Sequence, residues 1–194
     1  MNNDPKVSIM IVTYNQEQFI DETLRSAIDQ DYKNLEVVVS DDCSSDGTSK
    51  IINEYVKRYP LRVKAITNSQ NLGITGNHNR ALSQCTGAFV ALQGGDDIFL
   101  PDKISLQVKW FSESEKRVLC YHDAEVFESS TNEKICNYSE MAPLISGIGP
   151  ATLIERMRLG VASAVMVRTS SIPEYGFDTR LPMVSDWKFQ IDCL

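Results

Sequence analysis

Ala88-Phe-Val-Ala-Leu-Gln-Gly-Gly-Asp-Asp-Ile-Phe-Leu-Pro-Asp102 is the stretch on which the reading of this 194-residue chain turns. Phe89, Val90, Ala91 and Leu92 form an apolar run with the length and bulk of a strand buried on both faces. Gly94 and Gly95 let the backbone turn sharply and let a ligand come close to it. Asp96 and Asp97 follow, and Pro101-Asp102 can open a helix. Two adjacent carboxylates at the carboxyl end of a buried strand repel each other unless a cation sits between them, and ligands of open α/β sheets bind outside that end. Taken alone, the stretch fits two readings: a divalent cation held for a phosphate-bearing substrate, or a solvated turn, which aspartates also favour.

Working outward, Val7–Val12 reads as a strand of a parallel sheet, buried on both faces, that ends in a polar loop, Thr13-Tyr14-Asn15-Gln16-Glu17. Phe19, Ile20, Leu24, Ala27 and Ile28 recur at helical spacing. Leu35–Val39 is a second strand, and its loop carries Asp41 and Asp42 before a helix with Ile51, Ile52, Tyr55, Val56 and Tyr59 on one face. Val63–Ile66 is a short third strand. A Gly- and Asn-rich connection over Asn68–Asn79 leads into a helix carrying Ile74, Ala81, Leu82 and Cys85. The opening stretch is the fourth strand, and Ile104, Val108 and Phe111 mark the helix after it. Strand and helix alternate four times, which predicts an α/β unit with a largely parallel sheet over residues 1–115. Beyond it, Val118–Phe127 favours strand, Ser129–Glu140 reads as loop or hairpin tip, Thr152–Arg158 as a short helix and Val161–Val167 as a strand. A last helix is expected from Met183 onward, carrying Asp186, and the chain stops at Leu194 as though its continuation were missing.

Composition narrows the classes of function. A formal net charge of −7 with no basic block argues against nucleic acid as a partner. No apolar run reaches the length of a membrane span, and the N-terminus is not a secretory signal. Five cysteines, odd in number and without a CxxC pair, read as reduced cytoplasmic thiols. Two histidines, His78 and His122, are too few and too far apart for a zinc site. Neither GxGxxG nor GxxxxGK[ST] occurs, so carboxylates holding a metal become the other way to neutralise a diphosphate. Asp41-Asp42 and Asp96-Asp97 should then converge at one edge of the sheet.

Val7-Ser-Ile-Met-Ile-Val-Thr-Tyr-Asn15, Gln30 to Thr48 with its Ser-Asp-Asp-Cys-Ser-Ser-Asp-Gly core, Asn71-Leu-Gly73 with Asn79-Arg-Ala81, and Gly95-Asp-Asp-Ile-Phe-Leu-Pro-Asp102 together resemble glycosyltransferase family 2. The resemblance is close over residues 6–112 and loose over 113–194. It implies one GT-A domain over 1–194: a Rossmann-like, mostly parallel sheet flanked by helices, with a nucleotide-binding half (1–115) and a smaller acceptor-binding half (116–194). It implies an inverting transfer of a sugar from a nucleoside-diphosphate donor, of which a UDP-sugar is the family's habit, in polysaccharide or glycoconjugate synthesis. The acceptor hydroxyl would be saccharide, lipid-linked or protein, with peripheral contact at a membrane surface left open. The alternative is a non-catalytic nucleotide-binding or scaffold module of the same fold.

By position the resemblance assigns Val12, Thr13, Tyr14 and Glu17 to the nucleoside pocket. Asp42 would contact the base with Asp41 in support, and Asn71 and Gly73 would shape the wall beside base and ribose. Gly95 and Asp96 would sit at the diphosphate. Asp96, with Asp97, would hold Mn²⁺ or Mg²⁺, and Asp186 would be the general base. Two departures stand out. Gly94 replaces the first acid of the family's Asp-x-Asp element, and Cys43 stands where glycine is common.

Overall fold

The computed structural model describes residues 4–144, residue 147 and residues 161–194. The strands and helices alternate as the hydrophobic pattern requires: β1 (Val7–Thr13), α1 (Ile20–Ile28), β2 (Leu35–Asp41), α2 (Thr48–Arg58), β3 (Val63–Thr67), α3 (Gly73–Leu82), β4 (Phe89–Gly94) and α4 (Lys103–Ser112). They are followed by β5 (Leu119–Cys120), β6 (Glu125–Glu128), β7 (Glu133–Asn137), α5 (Tyr138–Met141), β8 (Met166–Arg168) and α6 (Ser185–Asp192). Six strands form one sheet in the order β3-β2-β1-β4-β8-β5. The pairs β1–β2, β1–β4 and β2–β3 are parallel, whereas β8 runs antiparallel to β4 and to β5.

The order of strands fixes where the helices go. A right-handed crossover from β1 outward to β3 places α1 and α2 on one face, and the return past β1 to β4 places α3 on the other. The core divides accordingly. Ile9 and Ile11 of β1 pack with Ile20, Leu24, Ile52, Ile104 and Phe111. Met10 points the other way and packs with Ala81, Phe177, Phe189 and Cys193. This reversal makes the gap between the carboxyl ends of β1 and β4 the switch point of the sheet, where a ligand crevice opens.

The amino end of the sheet is tied by a carboxylate. Glu36 is buried and accepts from Lys6 Nζ (2.7 Å), Lys64 Nζ (3.1 Å), Ser8 Oγ (2.7 Å) and the Thr86 N–H (2.7 Å) and hydroxyl (2.8 Å). Burial pushes its carboxyl upward, but these donors prevail and hold it at about 2.

The helix of the Asn-rich connection runs Gly73–Leu82 and takes in Ile74, Ala81 and Leu82 as expected, ending before Cys85. Two expectations change in the structure. The polar segment after Phe127 is not all loop: β7 pairs with β6 as a hairpin whose tip is 129–132. Of Val161–Val167 only the end is strand, since Ala162–Ala164 is a 3₁₀ turn before β8. The expected helix Thr152–Arg158 lies outside the described residues. Among the described residues no helix is long and apolar enough to cross a membrane.

Candidate functional site

Backbone register brings the acids to one rim. Thr13 lies opposite Asp41 on β2 and Val12 opposite Gly94 on β4. Past the last pairs, the Asp42 N–H donates to Thr13 O (2.9 Å) and the Gly95 N–H to Val12 O (2.9 Å). Asp42 and Asp96 therefore flank the end of β1 from its two sides, with Val12, Thr13 and Tyr14 between them. Tyr14 is half-exposed there.

Asp42 is built into the protein. Its Oδ1 accepts from Asn68 Nδ2 (2.9 Å) and the Leu72 N–H (2.8 Å), and its Oδ2 from the Gly73 N–H (2.9 Å). Helix α3 has no side-chain cap of its own, so this carboxylate, thirty residues away in sequence, satisfies the free N–H groups at its start. Gly73 takes φ +74°, a conformation that only glycine adopts without strain, and its N–H also reaches Asn71 Oδ1 (3.0 Å). Asp41 accepts the hydroxyls of Ser44 and Ser49. A carboxylate has about four lone-pair sites, so Asp42 Oδ2 retains room for one more donor.

Asn68 and Asn77 were not singled out by the sequence, yet both are buried at this rim. Asn77 Nδ2 donates to Ser40 O (3.0 Å) and its Oδ1 accepts from Asn68 (3.0 Å). The signal available was a buried-type position filled by asparagine inside a helix, where its propensity is poor. Glu17 braces the neighbouring loops: its Oε2 accepts the Gly47 N–H (2.9 Å), while Asn15 Oδ1 accepts the Ser45 N–H (2.8 Å).

The Gly94–Asp97 turn is different. Asp96 is exposed and accepts no hydrogen bond among the described residues. Asp97 is partly buried and accepts the Ser163 hydroxyl, which in turn accepts the Gly94 N–H (2.9 Å). Burial and then the charge of Asp96 push the Asp97 carboxyl upward, against the Ser163 hydrogen bond. A Cβ at Gly94 would lie 2.9 Å from Asp97 Oδ2 and 3.0 Å from Asp96 Oδ1, so both carboxylates lean over the same small space. Gly95 is packed closely: a Cβ there would come within 2.6 Å of Thr13 Cβ. Among the described residues no third His, Cys, Asp or Glu joins the two acids. Oxygen donors of this kind suit Mg²⁺ or Mn²⁺, with the rest of the shell drawn from diphosphate and water. Ser163, another residue the sequence did not reveal, is brought in by β8 from sixty-six positions beyond Asp97.

Asp186 sits in the first turn of α6, partly exposed. An aromatic stack docks that helix on α3: Phe189 lies on Phe177 (centroids 4.0 Å apart), and Phe177 on His78 (4.6 Å). Asn79 clamps the same segment, donating to Phe177 O (2.8 Å) and accepting its N–H (2.8 Å). Thr75 Oγ1 donates to Ser185 Oγ (2.9 Å), one residue before Asp186. His78 donates through Nδ1 to Ile74 O (2.8 Å), and burial lowers its pKa against the opposing pull of Asp186. It packs on its helix rather than facing the rim as a cation.

The family profile described as glycosyl transferase family 2 matches residues 8–172. WfaP of Escherichia coli, named as a UDP-Glc:alpha-D-GlcNAc-diphosphoundecaprenol beta-1,3-glucosyltransferase, is 39% identical over 115 residues, covering 59% of this chain and 44% of WfaP. Among solved structures, TarS residues 1–349 of S. aureus superpose with a TM-score of 0.72 at 25% identity, covering 97% of this chain and 55% of that one, and TarS has also been solved with UDP-GlcNAc. The mannosyltransferase PcManGT of Pyrobaculum calidifontis, solved with GDP-Man and Mn²⁺, gives a TM-score of 0.68 at 21% identity over 92% of this chain and 49% of its own. The chain spans 35% to 44% of the length of the curated relatives it matches.

Proposed function

The chain belongs to glycosyltransferase family 2 and has the GT-A fold, and from that premise we propose that it transfers a sugar, with inversion, from a UDP-sugar to an acceptor hydroxyl in surface-polysaccharide synthesis. Residues 1–115 form the nucleotide-binding half and 116–194 the acceptor half. One observation carries the reading: Asp42 and Asp96 flank the carboxyl end of β1 at the switch point, where Asp42 has a free lone pair and Asp96 a free carboxylate. WfaP and TarS support UDP over other nucleotides, and PcManGT supports Mn²⁺.

Asp42 accepts an N–H of the base, with Asp41 holding its loop, while the Tyr14 ring, Val12 and Thr13 flank the nucleoside. Asn71 and Gly73 form the ribose side, and Glu17 keeps the β1–α1 loop closed on the β2–α2 loop. Asp96 and Asp97 would hold a divalent cation, which would supply positive charge to offset the negative charge building on the departing diphosphate. Gly95, without a side chain, lets the turn that carries Asp96 pack against Thr13 and Gln16. Asp186 takes the proton of the acceptor hydroxyl, a contribution typically worth ~10²–10⁴-fold in rate.

The test pairs binding with turnover. The chain is melted with UDP, GDP, ADP and CDP in the presence of Mn²⁺, and donor turnover is followed as release of nucleoside diphosphate. UDP raises the melting temperature most, and Asp186→Asn lowers turnover ~10²–10⁴-fold with the UDP stabilisation intact. Stabilisation by none of the four nucleotides overturns the reading. Metal-enhanced UDP binding without turnover, in a chain extended to the length of its relatives, selects the non-catalytic module instead.

A further inference from the structure

A cavity of about 1500 Å³ lies between α4 and the β5–β7 segment, beginning at Asp96 and Asp97; Phe99, Trp110, Tyr121 and Phe127 are among its lining residues, as are the carboxylates Glu22, Asp123 and Glu125. Its volume exceeds that of most small-molecule sites and leaves room for more than one sugar ring. Two nitrogen-bearing side chains in its wall are not accounted for by the chemistry above.

Lys103 is buried, 6% exposed, in the first turn of α4. Its Nζ donates to Gln107 Oε1 (2.7 Å) and stands 4.2 Å from the centre of the Phe99 ring. Gln107 is fixed in turn by donating to Ala164 O (2.9 Å). Among the described residues no carboxylate pairs with this ammonium, although the chain has 26 acids against 19 bases. A buried charge held by one neutral acceptor and a ring face is poorly compensated, and burial lowers its pKa to about 7. The second side chain is His122. Its Nδ1 donates to Asp123 O (2.6 Å), which fixes the tautomer and leaves Nε2 as an acceptor. That Nε2 is buried and has no hydrogen-bond partner among the described residues, and His122 lines the same cavity. The Lys103 charge reaches the ring, adding to the downward push of burial on its pKa.

A donor cation without a counter-charge and an orphaned acceptor, facing one aromatic cavity beside the transfer centre, define the missing group. We propose that Lys103 and His122 form a subsite for an acidic acceptor saccharide, the ammonium binding its oxyanion (carboxylate or phosphate) and His122 Nε2 accepting a neighbouring hydroxyl. That the ligand is the acceptor rests on the glycosyl-transfer reading; the unpaired groups and the cavity do not. Both groups are buried, which strengthens both interactions, and the aromatic rings offer faces to the sugar.

The experiment titrates the protein with glucuronate, inorganic phosphate and glucose by calorimetry, each with and without UDP and Mn²⁺. Glucuronate or phosphate binds at least about tenfold more tightly than glucose, the effect of one charge-assisted hydrogen bond. The carboxylate and phosphate arms tell which oxyanion is taken. Lys103→Met removes the preference, Lys103→Arg keeps part of it, and UDP affinity is unchanged in both. Should Lys103→Met fail to fold, the wild-type contrast and His122→Gln, which weakens glucuronate, decide the matter. Equal affinity for glucuronate and glucose without any response to phosphate, or a preference that survives in Lys103→Met, overturns the subsite. A protein that prefers anions but does not bind UDP leaves the subsite standing and removes the transferase reading.

Discussion

The same dipeptide, Asp-Asp, ends the two strands that flank β1 and is treated in opposite ways. Asp41-Asp42 is buried and held by hydroxyls, an amide and the backbone N–H groups that open α3. Among the described residues one side chain, the Ser163 hydroxyl, donates to Asp96-Asp97, and Asp96 is open to solvent. The first pair is spent on architecture with a little capacity left over, while the second leaves one carboxylate, Asp96, open to solvent. Two carboxylates side by side without cationic partners are unfavourable on their own, so a site of this kind gains most from binding a cation.

That contrast breaks or sharpens under four substitutions, taken from the largest effect down. Asp96→Asn abolishes the Mn²⁺-dependent part of UDP stabilisation and lowers turnover on the order of 10²-fold or more, with the melting temperature of the ligand-free protein unchanged. Equal UDP stabilisation of wild type and variant removes Asp96 from the metal. Asp42→Ala does the reverse: it orphans N–H groups at the start of α3 and costs about 2–4 kcal/mol in urea denaturation before any ligand is added. A ligand-free stability loss below about 0.5 kcal/mol would put the two pairs in the same class.

Glu36, at the far end of the sheet, sharpens the comparison through pH. Its folded carboxyl sits at about 2, below the unfolded value, so its stabilisation is present above the usual carboxylate range and is lost as pH falls from about 4.5 toward 2. Glu36→Gln is destabilised by about 1–3 kcal/mol at pH 7, and the gap to wild type narrows steadily in melts run down to pH 3. A gap independent of pH would mean that packing, not charge, sets the cost. The smallest effect belongs to Cys43, which follows the buried acid pair at φ +64°. Cys43→Gly relieves that strain and stabilises by about 0.5–1 kcal/mol, read as a rise in urea midpoint at unchanged slope.

Much of this was legible in the chain. The apolar runs Val7–Val12, Leu35–Val39 and Phe89–Leu92 became the three central strands because a parallel strand covered on both faces has little freedom in composition. Cys43 stood out against a glycine pattern, and its positive φ is the reason. The second half was harder. β7 lay hidden in a polar segment because a two-stranded hairpin half in water shows little hydrophobic signal, and β8 is only three residues long. Asn77 and Ser163 act by reaching backbone or carboxylate groups far away in sequence, which no local spacing records.

The sequence by itself determined the alternation of strand and helix, the acids at the strand ends and the family they resemble, since periodicity and loop chemistry are local properties. Only the tertiary structure decided which acid pair is consumed and which is left open, and that Lys103 meets a cavity without a carboxylate partner of its own, and His122 with its Nε2 unbonded, among the described residues. Those outcomes depend on which groups, dozens of residues apart, come within about 3 Å of one another, and hydrogen bonding and desolvation are settled at that distance rather than along the chain.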